Sequence, residues 1–211
     1  MLKMNITMSL DGYVAGPNQS RETPLGEGGE ELHNWVVGLR SFHEMSGMEG
    51  GETGVDDDVE REDFANIGAT IMGRNMFGPI RGPWGEGDWR GWWGDDPPYH
   101  HPVFVLTHHA REPLVMQGGT TFYFVTEGIE SALRRAQEAA GDTDVELAGG
   151  ASVVQQYLRA GLLEQFDLHI VPMLLGSGER LLDNLDSGVK LEQVRAISGS
   201  GVTHIKYRAS R

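Results

Sequence analysis

Three short stretches of this 211-residue chain contain residue types able to hold a phosphate: "MGRNM" at 72–76, "LTHHAR" at 106–111 and "AGGASVV" at 148–154. In the first and third, an apolar run meets glycine and then takes on helical spacing. The chain thus reaches a helix N-terminus through residues that lack a Cβ. The first N–H groups of such a helix are unpaired and partly positive, so an anion can approach them closely. Gly149 and Gly150 fit a plain strand-to-helix turn equally well, and the pair alone leaves both readings open. Arg74, Thr107, His108 and Arg111 add side-chain donors for a charged group. One phosphate needs fewer. A diphosphate with an additional ribose phosphate accounts for them, and the forked guanidinium of Arg74 suits the terminal phosphate. The G-x-G-x-x-G signature is absent, which speaks against a Rossmann site.

For these stretches to meet, they must lie at the carboxyl ends of neighbouring strands in an α/β sheet. The pattern supplies such strands. Leu2, Met4, Ile6 and Met8 alternate with polar residues up to an Asp11-Gly12 turn. Strands are predicted at "GATIMG", at 102–107, at 121–125, before Gly149 and at "QFDLHIVP", with a hairpin around "SGSG" at the end. Leu32, Trp35, Val36, Leu39, Phe42 and Met45 recur at three and four and predict one amphipathic helix from near Gly29. Asp56–Asp58 open a second short helix, where their charge suits the dipole and a solvated face is the plainer role. Ile129, Leu133, Ala136 and Ala140 mark another helix, and Val153 to Leu158 one more. The sum is about eight strands in a mixed, mostly parallel sheet flanked by helices, with a C-terminal antiparallel hairpin, in a single domain over 1–211.

Residues 81–101 break every period and hold four of the five tryptophans among glycines and prolines. They predict a long ordered loop or lid, in which the rings form a substrate platform, a dimer contact or the loop's own core.

The composition closes off several functions. A net charge of −14, with 17 basic against 31 acidic residues, argues against nucleic acid or an anionic membrane as partner. The absence of cysteine excludes disulfides, thiolate nucleophiles and cysteine zinc sites. His100-His101 and His108-His109 invite a metal reading, but neighbours on an extended chain point to opposite faces and chelate poorly, so no metal is expected. No stretch reaches bilayer-spanning length, and a soluble cytoplasmic protein is the default expectation.

Taken in order, "MSLDGYVAGPN", "GATIMGRNMF", "PVFVLTHHAR", "VELAGGASVVQQYL" and "FDLHIVPMLLGSGERLL" resemble the dihydrofolate reductase-like family that includes the reductase domain of riboflavin biosynthesis, the RibD C-terminal domain. The resemblance covers nearly the whole chain. It implies an NADPH site at the strand ends, lined by Gly73, Arg74, Asn75 and Met76, by Thr107, His108 and Arg111, and by Gly149, Gly150, Ala151, Ser152 and Val153. Many relatives carry Thr where this chain has Met76, so one phosphate contact is missing. Asp11 of "SLDG" falls beside the substrate in riboflavin-type relatives. In dihydrofolate reductases a helix acid lies about sixteen residues before the glycine of Gly-Arg, a count that lands on Asp57. Asp11, then Asp57, are therefore the candidate proton sources. The implied activity is NADPH-dependent reduction of a small heterocyclic or carbonyl-type substrate by a homodimer. The alternatives are a true dihydrofolate reductase, and a nucleotide-binding protein of the same fold that has lost catalysis and acts as sensor or assembly partner.

Overall fold

The computed structural model describes residues 1–79, 82–85 and 89–210. Its elements in chain order are β1 (Leu2–Ser9), β2 (Tyr13–Ala15), α1 (Arg40–Met45), α2 (Val55–Phe64), β3 (Ile67–Gly73), α3 (Arg74–Phe77), β4 (Pro102–Leu106), β5 (Leu114–Val115), β6 (Thr121–Val125), α4 (Ile129–Ala140), β7 (Asp144–Gly149), α5 (Ala151–Ala160), β8 (Gln165–Val171), β9 (Glu179–Arg180), β10 (Lys190–Ser198) and β11 (Thr203–Ser210). One sheet runs in the order β10-β11-β8-β1-β7-β3-β4-β6-β5, and β2 pairs with β9 in a small ribbon. The six strands from β8 to β6 in that order are mutually parallel, while the β10–β11 hairpin and β5 are antiparallel additions at the two edges. The sheet has nine strands where about eight were expected. The two-residue β5 carries no readable alternation.

The helix expected from Gly29 to Met45 is broken. A 3-10 turn spans Gly29–His33, and α1 begins only at Arg40. Leu39 stays extended and bridges to Glu52, with Arg40 N–H donating to the Glu52 carbonyl and Glu52 N–H to that of Gly38. Leu32, Val36 and Leu39 are still buried, because successive turns serve the same three-to-four spacing.

Strand alternation sorts the sheet into two faces. Ala69, Ile71, Val145, Leu147, Phe166 and Leu168 point to one side, where Ala132, Leu133 and Ala136 of α4 and Val154, Tyr157 and Leu158 of α5 complete the main core. The opposite face has two covers. Over β3, β4 and β6, Met72, Val103, Val105, Phe122 and Phe124 are covered by Phe77, Trp84, Trp89 and Trp93. Over β7, β1, β8 and β11, the inward residues are polar: Thr7, Glu146, Asp167, His169 and His204 are all buried. There α2 turns Asp56, Asp57, Glu60 and Asp63 inward and leaves Val55 and Phe64 exposed. The expected helix thus forms, but of Asp56–Asp58 only Asp58 is solvated. Burial among Asp63, Glu146 and Asp57 raises the Glu60 carboxyl to about 8. Burial, with Asp63 beside it, likewise raises Asp167 to about 6.

No helix or strand forms between Gly78 and His101 among the described residues, in line with the expected loop; Ile80, Arg81 and residues 86–88 of that segment lie outside them. The loop is tied down by its own indoles. Trp84 Nε1 donates to the His109 carbonyl at 2.8 Å and Trp89 Nε1 to that of Phe77 at 3.0 Å, while Trp93 stacks on Phe122.

Candidate active site

A cleft of about 700 Å3 opens at the carboxyl ends of β1, β3, β4 and β7. Gly73, Arg74, Asn75 and Met76 line it, as do Thr107 and His108, and Gly150, Ala151, Ser152 and Val153. Ten of the twelve expected cofactor residues therefore share one cavity, because parallel pairing of β7 with β3 and of β3 with β4 aligns the three strand ends. Gly149 lies just behind the wall, buried, its open Cβ position 3.6 Å from Ile6 and 3.9 Å from Met76. Arg111 is turned aside, its guanidinium 4.8 Å from the Trp84 ring centre and 5.2 Å from that of Phe124.

Helix starts supply the positive end of the site. No side chain caps α5, whose N-cap residue is Gly150, and a Cβ added at Gly150 would meet nothing within 4 Å. The space above Gly150 belongs to the cleft. α4 also begins at the wall: Gly128 and Ile129 line the cavity, and this helix too lacks a side-chain cap. The signal was present in "TFYFVTEGIE", a third strand-glycine-helix passage that the sequence reading left out of the site. Gly73 serves another purpose. A Cβ there would sit 2.8 Å from Val153 Cγ2, so its bareness lets β3 and α5 approach.

Arg74 is held ready at the mouth. One guanidinium nitrogen donates to Thr107 Oγ1 at 3.0 Å and the other to the Gly82 carbonyl at 3.3 Å. The group lies 3.1 Å from the centre of the Trp84 ring. Stacking on an indole fixes the plane of the fork before any ligand arrives.

Neither expected proton source forms part of the cleft wall. Asp11 accepts from Ser9 Oγ at 2.6 Å, from Gly176 N at 2.7 Å and from Leu175 N at 3.1 Å, which ties the end of β1 to the loop after β8. The Ser9 hydroxyl and these N–H groups outweigh desolvation and hold its carboxyl below the usual range. Asp57 is buried on α2, where its oxygens accept from Ser41 N at 2.7 Å and Arg61 Nε at 3.0 Å. Burial pushes that carboxyl up, but Ser41 and Arg61 together bring it below the usual range. The count of sixteen reached the correct helix but a face turned toward α1.

The wall contains other titratable groups that sequence reasoning passed over. His33 stands in it beside Thr7 and Leu25. Its Nδ1 is buried without a hydrogen bond of acceptable geometry, and burial lowers its pKa despite the nearby Gly29 carbonyl. It lies in the segment read as helix, where its place at the cleft depends on the 3-10 turn.

A mostly parallel sheet with this C-terminal hairpin and a cleft at the strand ends defines a dihydrofolate reductase-like architecture. The chain belongs to the RibD C-terminal domain family, whose sequence model matches residues 1–204. YyaP of Bacillus subtilis (strain 168), described as uncharacterized, is 26% identical over 210 residues, covering 97% of this chain and 92% of its own. In structure the chain is similar to a putative riboflavin biosynthesis protein from Shewanella sp. PV-4, with a TM-score of 0.62 and 21% identity over 100% of this chain and 99% of that one. It is also similar to a dihydrofolate reductase from Enterococcus faecalis complexed with NADP(H) and RAB-propyl. That match has a TM-score of 0.56 and 13% identity over 100% and 97% of the two chains. No helix among the described residues is long and apolar enough to cross a membrane.

Proposed function

We propose that the chain is an NADPH-dependent reductase of a small heterocyclic or carbonyl-type substrate. The observation that supports this most directly is the open space above Gly150 between two uncapped helix starts, with Arg74 stacked at the mouth. The residues fit the group. The first N–H groups of α5 and α4 would take the diphosphate, and Arg74 with Thr107 the ribose phosphate. When bound, NADPH supplies the hydride. Ile6, Val14 and Ala15 give this end of the cleft an apolar wall that excludes water. The proton comes from His33 or a water it orders, since Asp11 and Asp57 are engaged elsewhere. A second reading, a cofactor-binding protein without turnover, draws its support from that same displacement of both carboxylates. The true dihydrofolate reductase reading loses support, because Asp57 faces Ser41 and Arg61. The proposed assembly is a homodimer, which light scattering at micromolar concentration checks.

Titration of NADPH and NADH into the parent, Gly150→Val and Arg74→Ala tests the cofactor reading. The parent should prefer NADPH. Arg74→Ala should weaken it about ten- to a hundredfold, the loss of a charge-assisted contact of roughly 1.5–3 kcal/mol. Gly150→Val should fold and lose binding, because its side chain enters only cleft space. Equal affinity for both nucleotides in the parent, or unchanged affinity in folded Gly150→Val, overturns the reading. With a substrate in hand, turnover should rise toward acid as His33 protonates, and His33→Gln should flatten that profile while leaving NADPH affinity intact.

A further inference from the structure

Beneath α2, on the sheet face away from the main core, three buried side chains converge: Glu60 and Asp63 from the helix and His169 from β8, with one ligand-type atom of each within 4.8 Å of the others. His169 Nε2 lies 3.1 Å from Asp63 Oδ2, and both side chains are at most 3% exposed. Despite that distance neither atom makes a hydrogen bond of acceptable geometry.

The network behind His169 explains why. Asp56 Oδ2 accepts from Ser200 N at 2.9 Å, and Asp56 Oδ1 lies 2.9 Å from His204 Nε2. An ionised carboxylate only accepts, so His204 Nε2 carries a proton. In a neutral imidazole the other nitrogen is then an acceptor, and His204 Nδ1 lies 2.8 Å from His169 Nδ1. That contact requires the proton on His169 Nδ1. A neutral His169 therefore presents its Nε2 lone pair toward Asp63 and Glu60, three ligand-type groups that a single cation can join once the carboxyls are ionised. An imidazole that offers one nitrogen while its other N–H is fixed by a hydrogen-bonded partner is the usual outer arrangement of a metal-binding histidine. Access exists, since a cavity of about 220 Å3 lined by Asp63, Asp167, Lys3 and Lys206 adjoins the cluster.

We propose that His169 Nε2, Asp63 and Glu60 bind a first-row divalent transition cation, such as Zn2+, with a fourth position open to water from that cavity. One imidazole and two carboxylates suit zinc, cobalt or manganese better than calcium or magnesium. The three ligand groups hold the ion only in their deprotonated forms, so any proton resting among them is released on binding. The site is independent of the cofactor cleft. Neither His100, His101, His108 nor His109, the histidines that raised a metal question in the sequence, takes part.

The test uses the full chain, stripped with chelator and titrated with Zn2+ by calorimetry in two buffers of different ionisation heat. One equivalent of Zn2+ should bind with net proton release and raise the melting temperature. His169→Gln and Glu60→Gln should each abolish that equivalent, and Asp56→Asn, which loosens the outer hydrogen bond, should weaken it about 10–100-fold. Retention of the equivalent in folded His169→Gln assigns the ion to surface histidines and overturns the proposal. So does the absence of stoichiometric binding by the parent at 100-fold excess Zn2+, an outcome that makes the bridging cation a proton. Should the variants fail to fold, Co2+ bound to the parent decides: X-ray absorption should find one imidazole among oxygen ligands, and none or several overturns the assignment.

Discussion

The two covers on one face of the sheet solve the same burial problem by opposite means. Over β3, β4 and β6 the cover is aromatic: Phe77, Trp84 and Phe124 meet edge to face at 4.8–5.8 Å, and the indole N–H groups reach backbone carbonyls at the rim. Over β8 and β11 the cover is α2, with Asp56, Asp57, Glu60 and Asp63 inside and Val55 and Phe64 outside. Aromatic burial is non-directional and tolerant of pH. A buried carboxylate is stable only while every neighbour supplies its hydrogen or charge, so the α2 side is specific and sensitive. Both covers adjoin the cleft. Trp92 and Trp93 line it directly, and Trp35, tilted against His169 and edge-on to His204, donates to Thr7 in its wall at 3.1 Å.

The difference can be broken most strongly from the aromatic side. Phe122 is fully buried and in ring contact with Phe77, Trp93 and Tyr99. Phe122→Ala should cost about 3–5 kcal/mol in urea unfolding, equally at pH 6 and pH 8, since nothing it touches changes charge in that window. A strongly pH-dependent cost would contradict an inert aromatic cover.

Asp56→Ala attacks the other side and should cost about 1–3 kcal/mol at pH 7.5, by leaving His204 Nε2 and Ser200 N without an acceptor. Burial already holds the His204 pKa below its usual value against the opposing pull of Asp56. Loss of Asp56 lowers it further. Below pH 6.5 the unfolded imidazole gains a proton that the folded one refuses, so the unfolded state binds more protons and stability is lost as pH falls. The cost of Asp56→Ala should therefore be greater at pH 5.5 than at pH 7.5, and a cost flat across that range would remove the charge-sensitive half of the comparison.

The smallest effect lies at the exposed edge of α2. Arg195 and Lys206 hold Glu62 down to about 2. A depressed carboxyl contributes stability that is present above its unfolded pKa and fades as pH falls toward about 2. Because the side chain is 46% exposed, solvent screening limits this to at most about 1 kcal/mol. Glu62→Gln should lower the melting temperature slightly at pH 7, and the gap to the parent should close between pH 4.5 and pH 2.

Much of the cleft wall was readable because it depends on local rules. A strand that ends in glycine and restarts as a helix exposes its N–H groups wherever it lies, and parallel strands bring such ends to one edge. Thus "MGRNM", "LTHHAR" and "AGGASVV" identified ten residues of one cavity. Arg111 and Gly149 show the margin of that reasoning. One rotamer and one turn of backbone decide whether a residue faces the cleft or the protein behind it.

By itself the sequence determined most of the strands and helices of the sheet layer, the mixed sheet with its terminal hairpin, and the glycine-marked edge where the cleft opens. These follow from alternation, spacing and the absence of a Cβ, which act over a few residues. Only the tertiary structure decided what the polar residues of α2 and β8 face. Asp56 meets His204 of β11 across 148 positions, and Asp63 meets His169 of β8. The same acids would be an ordinary solvated helix start had α2 packed by its apolar side. Charge is indifferent to sequence distance, and its partners become visible only when the sheet has placed them within a few ångströms.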